Sequence, residues 1–220
     1  MWDSKTISMI ISGIGETLWM TCMSTQFGYL IGLPLGVLLT VTGADGIKQN
    51  PVVYKILDVI TNLLRSVPFL ILMITIRPIT KFIVGKSYGA TATIVPLTFA
   101  AAPYIARMVE SSLKEVDRGV IEAAQSMGAS VWEIIRKVLL PEGRTSLVVN
   151  ATIAMNTILG YSAMSGACGG GGLGDIALRY GYQRWQPQIL LVTVVLLVLL
   201  AQMIQMIGMF LSRVIDRRRV

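Results

Sequence analysis

The residues able to do chemistry in this chain are few and set far apart. Histidine is absent from all 220 residues, which removes imidazole acid–base catalysis, histidine metal ligation and Ser-His triads. Cys22 lies in an apolar run and Cys168 in a Gly-rich stretch, and two such distant thiols do not make a disulfide framework. Gly85-Lys86-Ser87 matches the end of a phosphate-cradling loop. Such a loop needs a glycine five positions before Gly85, where Thr80 stands, and no strand precedes it. The chain therefore carries no nucleotide site of its own, and any use of ATP would need another polypeptide to bind it. Glu110, Glu115, Asp117, Glu122, Glu133 and Glu142 all fall in one polar segment, 110–144. None forms a pair inside an apolar run, as glycosidase or proton-relay chemistry would require. No catalytic residue and no metal site is expected.

The elements around these residues are membrane spans. Hydrophobic residues make up 54% of the chain and charged ones 14%, against about 45–50% and about 25% in an ordinary soluble domain. The net charge of +7 is scattered among apolar stretches without aromatic interleaving, which fits lipid headgroups and excludes a nucleic-acid surface. Five spans are predicted, at about 17–42, 57–76, 88–109, 145–165 and 188–211, in a single all-helical transmembrane domain covering 1–220. The first is read as retained rather than as a cleaved signal. Gly28, Gly32 and Gly36 recur at four-residue steps in it and share a face that admits another helix closely.

The other spans hold the interruptions. Pro34 predicts a bend in the first span, and Pro68 a kink in the second. Pro96 and Pro103 break the third. Asp58 and Arg65 interrupt the second span and are read at the membrane surface. The fourth span contains Asn150 and Asn156, suited either to a polar path or to interhelical hydrogen bonds. A Gly-rich loop, 166–187, follows it, either loose or open to close backbone approach by a partner. With the N-terminus outside, thirteen Lys/Arg lie on the cytoplasmic side and six outside. The positive-inside rule thus sets the N-terminus outside, the C-terminus inside and the 110–144 segment in the cytoplasm.

That segment is amphipathic. Ile121, Ala124 and Gln125 share one side of a first short helix, which Gly128 ends. Ser130 is a good N-cap for a second helix, and Glu133 completes a capping box. Pro141 is expected to stop that helix.

Glu122-Ala123-Ala124, then Gly128-Ala129, then Val138 and Leu140-Pro141, resembles in residues and spacing the EAA loop of ABC importer permeases. Val138 stands where the family usually has isoleucine. Asp117 stands where many members have proline, which implies a less rigid approach to the first helix. NLLRSVPFLIL (62–72), IVPLTFAAAPYIARMVESSL (94–113) and GYSAMSGACGGGGLGDIALRYGY (160–182) resemble the methionine-importer branch, and the likeness covers about residues 10–212. The resemblance implies a type I importer permease fold in the bacterial cell membrane. It implies a homodimer with the path between its copies, two ATPase subunits holding ATP and magnesium on the cytoplasmic side, and a substrate-binding lipoprotein outside. It implies that Glu122, Ala123, Ala124, Gly128, Ala129 and Pro141 belong to the ATPase-coupling loop, and that the cargo is methionine in its L- and D-forms. Met164, with Asn156 and Ser162, is read as a gate and pathway candidate, with simple packing of Met164 as the rival reading. An ABC permease for another amino acid or a small anion, a secondary carrier working without an ATPase, and a membrane anchor that only recruits a partner are the alternatives.

Overall fold

The structure is a computed structural model describing residues 3–216, and among these all the regular structure is helical. In chain order the helices are α1 (Ser4–Thr42), α2 (Pro51–Ser66), α3 (Phe69–Thr75), α4 (Arg77–Val84), α5 (Ala90–Lys114), α6 (Arg118–Ser126) and α7 (Val131–Ile134). Then come α8 (Leu140–Glu142), α9 (Arg144–Ser165), α10 (Gly172–Ile176) and α11 (Pro187–Ile215). Helices α1, α5, α9 with its 3₁₀ extension to Cys168, and α11 are long and apolar enough to cross a membrane; α2 with α3 makes a fifth, bent candidate. Arg217–Arg219, part of the charge count above, lie outside the described residues.

Several expected boundaries shift for identifiable reasons. Helix α1 starts at Ser4, well before Thr17, because nothing in 4–16 breaks it: glycine and threonine cost a helix far less than proline does. Pro96 and Pro103 do not break the third span, which is continuous from Ala90 to Lys114. Proline removes one backbone donor, and packed neighbours hold the helix through it. The second span is not one helix. It stops at Ser66 and resumes at Phe69, bent by 97°. Pro68 N-caps α3 with φ −57° and ψ 133°, and its ring keeps Val67 out of the helical region. The expected return at 77–87 is mostly helix α4, closed by Gly85 in the left-handed region at φ 79°.

The chain divides into two compact units. The first takes in the chain up to Phe27, Val67–Ala101 and Met155–Gln205. Its core includes the fully buried Met20, Leu97, Ile158 and Leu173. Phe69 and Tyr161 stack with ring centroids 5.0 Å apart. Asn156 Nδ2 donates to Gln205 Oε1 at 3.0 Å, joining α9 to α11.

The second unit takes in Gly28–Ser66, Ala102–Ala154 and the chain from Met206 on. Here α1 lies directly on α5. A Cβ on Gly32 would fall 2.7 Å from Ala102 O, and one on Gly36 would fall 2.6 Å from Ala106 O. The expected glycine face therefore serves packing within the subunit. Gly208 of α11 meets Thr152 of α9 in the same way, a Cβ there falling 1.9 Å from Thr152 Oγ1. Asn150 Nδ2 donates to Ser112 Oγ at 2.7 Å and to Met108 O at 3.3 Å, so both asparagines of α9 tie helices together. Asp58 is ion-paired to Arg107 of α5 and is not a free surface charge, while the Arg65 guanidinium lies 5.9 Å from the Tyr104 ring centroid.

Replacing Gly36 by Leu forces α1 off the α5 backbone, since the neighbour at 2.6 Å is a carbonyl and not a movable side-chain end. A loss of about 1–3 kcal/mol or more is expected from overpacking. It would be read as a lower thermal midpoint of the detergent-purified protein, and Gly15→Leu, whose Cβ meets nothing within 4 Å, should show little change.

Candidate functional site

The polar segment after α5 is built from two short helices held at an angle by hydrogen-bonded caps. Asp117 opens α6, its Oδ1 accepting from Gly119 N at 2.7 Å. The substitution that looked like a loss of rigidity is thus a helix N-cap, a role its residue type already indicates. Arg118 at the first turn pairs with Asp45 at 2.5 Å, both side chains largely exposed.

At its other end α6 closes with a Schellman motif. Gly128 N donates to Gln125 O at 2.9 Å and Ala129 N to Ala124 O at 3.1 Å, with Gly128 at φ 79°. Only the absence of a Cβ makes that φ unstrained. Ala124 and Ala129 lie at the two ends of the longer bond, where small side chains fit the reversal.

Helix α7 then starts on the expected capping box. Glu133 N donates to Ser130 Oγ at 3.3 Å, and Ser130 N donates to Glu133 Oε2 at 3.1 Å. Lys137 adds an ion pair to Glu133 Oε1 at 3.1 Å. The Ser130 backbone and hydroxyl donors, and then Lys137, stabilise the ionised carboxyl and hold Glu133 at about 2. A carboxyl held below its ordinary value of 4.5 stabilises the fold above that pH, and the contribution is lost as the pH falls toward about 2.

Pro141 does not stop the second helix. Residues Ile135–Leu139 widen into a π turn in which Leu140 N donates to Ile135 O, and the backbone passes through α8 and Gly143 into α9. A proline cannot donate and its ring crowds the preceding turn. One wider turn accommodates this without ending the helix. Pro141 is thereby exposed at the joint between α9 and the elbow formed by α6 and α7.

The two short helices present a defined outer surface. Glu122, Ala123, Gln125, Ser126 and Gly128 are exposed, Ala129 is half-buried, and Ala124 is buried against the chain's own fold. Beside them stand Met127, 82% exposed, and Trp132, 67% exposed. Neither figures in the sequence expectations, although an apolar side chain at a helix C-terminus and an aromatic one in a first turn are visible in the sequence as possible anchors. Residues Ala44–Ile47 of the α1–α2 turn and Arg118, Ile121, Glu122 and Gln125 of α6 line an open cleft of about 200 Å³.

The other predicted site residues lie on α9. Met164 is exposed, on the same helix face as Ile153, Thr157 and Gly160. A Cβ at Gly160 would meet nothing within 4 Å. Asn156 is half-buried and bonded to Gln205, whereas Ser162 is buried with its hydroxyl donating to Leu159 O at 2.7 Å.

The Gly-rich stretch is neither loose nor mainly a docking surface. A Cβ at Gly166, Gly170, Gly171, Gly172 or Gly174 would lie within 3 Å of Asp175, Ser165, Glu16, Thr17 and Ala163 respectively. Gly172 N donates to Glu16 Oε2 at 2.7 Å and Leu173 N to Thr17 Oγ1 at 2.9 Å. Gly169 alone of this run is exposed with open space around its Cα.

A family profile described as "Binding-protein-dependent transport system inner membrane component" matches residues 32–220. The "Probable D-methionine transport system permease protein MetI" of Vibrio cholerae serotype O1 is 47% identical over 217 residues, 99% of this chain and 96% of that protein. The "D-methionine transport system permease protein MetI" of Escherichia coli K12 is 51% identical over 158 residues, 72% of this chain and 73% of that protein. Among solved structures, a chain of "Inward facing conformations of the MetNI methionine ABC transporter" superposes with a TM-score of 0.96 at 47% identity, covering 98% of this chain and 100% of that one. A chain from an amino acid ABC transporter crystallised with histidines has a TM-score of 0.78 at 18% identity, covering 95% of each chain, a likeness of fold alone.

Ser130→Ala removes the acceptor for the first turn of α7 and should cost about 1 kcal/mol of local stability. Faster backbone hydrogen exchange in 131–134 at neutral pH, with exchange in α6 unchanged, is the expected reading.

Proposed function

The chain belongs to the family of binding-protein-dependent transport system inner membrane components, and from that membership we infer that it is the permease subunit of an ABC importer for methionine. It is a multi-pass inner-membrane protein that provides the path and catalyses nothing, ATP hydrolysis residing in a separate subunit. The secondary-carrier and anchor readings fall away with the family.

The observation that carries the mechanism is the capped, outward-facing helix α6. Its ends are fixed by Asp117 and by the Gly128 reversal, and its exposed face offers Glu122 and Ala123 with little side-chain bulk. A small, rigid surface with one carboxylate suits insertion into a cleft of the partner ATPase, where Glu122 pairs with a basic group at the rim. ATP and magnesium sit on that partner. When the ATPases close, α6 moves as a body, and Pro141 and the π turn hand the motion to α9 through a backbone joint without a flexible linker. The path runs between two copies of this chain, and the open face of α9 at Met164 and Gly160 gates it. Asn156 ties α9 to Gln205 of α11 behind that gate, and Ser162 is buried on the same helix. Helix α9 then alternates between outward- and inward-open arrangements. The Lys/Arg distribution supports placing the N-terminus outside and α6 in the cytoplasm. A substrate-binding lipoprotein delivers methionine, as L- or D-form, from the outer side.

The complex purified with its ATPase and binding protein tests the reading. Methionine should stimulate hydrolysis and drive uptake into proteoliposomes, and stimulation by a different amino acid alone would overturn the cargo. Glu122→Lys and Gly128→Trp should each abolish stimulated hydrolysis and uptake while the permease still inserts and dimerises. Met164→Ala should leak substrate or raise hydrolysis without matching uptake, and wild-type values for both would remove Met164 from the gate.

A further inference from the structure

We propose that Arg107 is a positioning residue that clamps α2 to α5, so that the two helices move as one body when α6 is displaced. The proposal rests on α6 as the ATPase-facing helix and adds a part of the machine that neither the coupling loop nor the gate includes.

The observation behind it is how little else attaches α2. Of its sixteen residues, all described, only Thr61 is buried. Most of its apolar side chains face away from the fold, with Val52 66%, Ile56 55% and Leu63 64% exposed, while Tyr54 and Leu57 are half-buried. Apolar packing within the chain therefore holds this helix only weakly, and besides the charged cluster its link to α5 is the Arg65 guanidinium 5.9 Å from the Tyr104 ring centroid.

Polar groups hold it instead. Arg107 reaches from α5 to α2, where its guanidinium pairs with the Asp58 carboxylate and also donates to Asp58 O at 3.3 Å and Asn62 Oδ1 at 3.1 Å. Its other terminal nitrogen pairs with Glu110 at 2.6 Å. Glu110, its side chain only 5% exposed, takes Lys114 Nζ at 2.7 Å and the Tyr54 hydroxyl of α2 at 3.3 Å. Two cations face two carboxylates, so the cluster is neutral as a whole. It spans α2 from Tyr54 to Asn62, roughly two turns.

The chemistry suits a clamp better than a solvated charged face. The Arg107 side chain is 14% exposed, and removing one member of such a cluster strands a buried charge. A planar guanidinium holds two carboxylates and an amide in fixed directions, which a lysine in its place does not. Helix α5 leads directly into α6 through Glu115–Asp117. Any displacement of α6 therefore reaches α5 by the backbone, and reaches α2 through Arg107.

Spin labels at Val53 of α2 and Ser111 of α5, both exposed, read the clamp in the assembled importer by pulsed dipolar spectroscopy. In the otherwise native protein the distance should be narrow and unchanged between the nucleotide-free and ATP-trapped states. In Arg107→Gln it should broaden or shift on ATP binding, and methionine imported per ATP hydrolysed should fall about 10-fold. An unchanged distance and an unchanged ratio in Arg107→Gln would overturn the proposal, as would a broad distance in the native protein. Should Arg107→Gln fail to accumulate, Asp58→Asn leaves Arg107 paired with Glu110 and carries the same measurement, with the same overturning result. If Gly128→Trp retains stimulated hydrolysis while the clamp distance behaves as expected, the assignment of α6 has failed and the clamp has not.

Discussion

A chain in lipid has no water to complete its hydrogen bonds, and the architecture follows from meeting that constraint inside the chain. Prolines are carried within α1 and α5 without ending them, and Pro141 is absorbed by a π turn. Threonine hydroxyls along the spans, such as Thr17, Thr21 and Thr25, return their hydrogens to carbonyls four residues back. Asn150 and Asn156 use their amides to cross-link helices. Even the Gly-rich stretch, whose composition suggests a solvent-exposed loop, folds into short helices whose N–H groups are taken by Glu16 and Thr17.

The same constraint decides how each part is attached. Where two helices must not slide, glycine brings backbone against side chain, as at Gly32, Gly36 and Gly208. Where a helix lacks such contacts, as α2 does, paired charges attach it. The elbow of α6 and α7 is fixed differently again, by caps and a Schellman reversal that act within a few residues. A local device of that kind keeps its shape while its outer face engages another protein.

Open space also carries information. Gly160 has nothing of its own chain within reach of a Cβ, so the fold of one subunit does not require it to be glycine; Gly169 has as much space but stands at φ 77°, in the left-handed region that favours glycine. Gly160 lies on the face of α9 that also carries Met164, the face the chain leaves uncovered. Since an interior glycine weakens a helix by about 1 kcal/mol relative to alanine, its presence there points to a requirement outside the single chain.

Much of the elbow was legible in the residues alone, because its determinants are local. Ser130 with Glu133, Gly128 at a helix end, and charge at helical spacing act across three or four positions. The helical class and the long apolar runs were legible for the same reason, since run length needs no partner to be read, whereas the break between α2 and α3 was read only as a kink at Pro68. The misread features depend on neighbours: continuity through Pro96 and Pro103, the π turn before Pro141, and the ordered glycines of 166–174. The pairing of Asp58 with Arg107 joins residues 49 positions apart. The sequence by itself thus determined the helical class, the capping box and the Gly128 helix end, which rest on bonds within a few residues. Only the tertiary structure decided which glycines are filled, which charges are paired and which face of α9 stays open, because those depend on which helices meet.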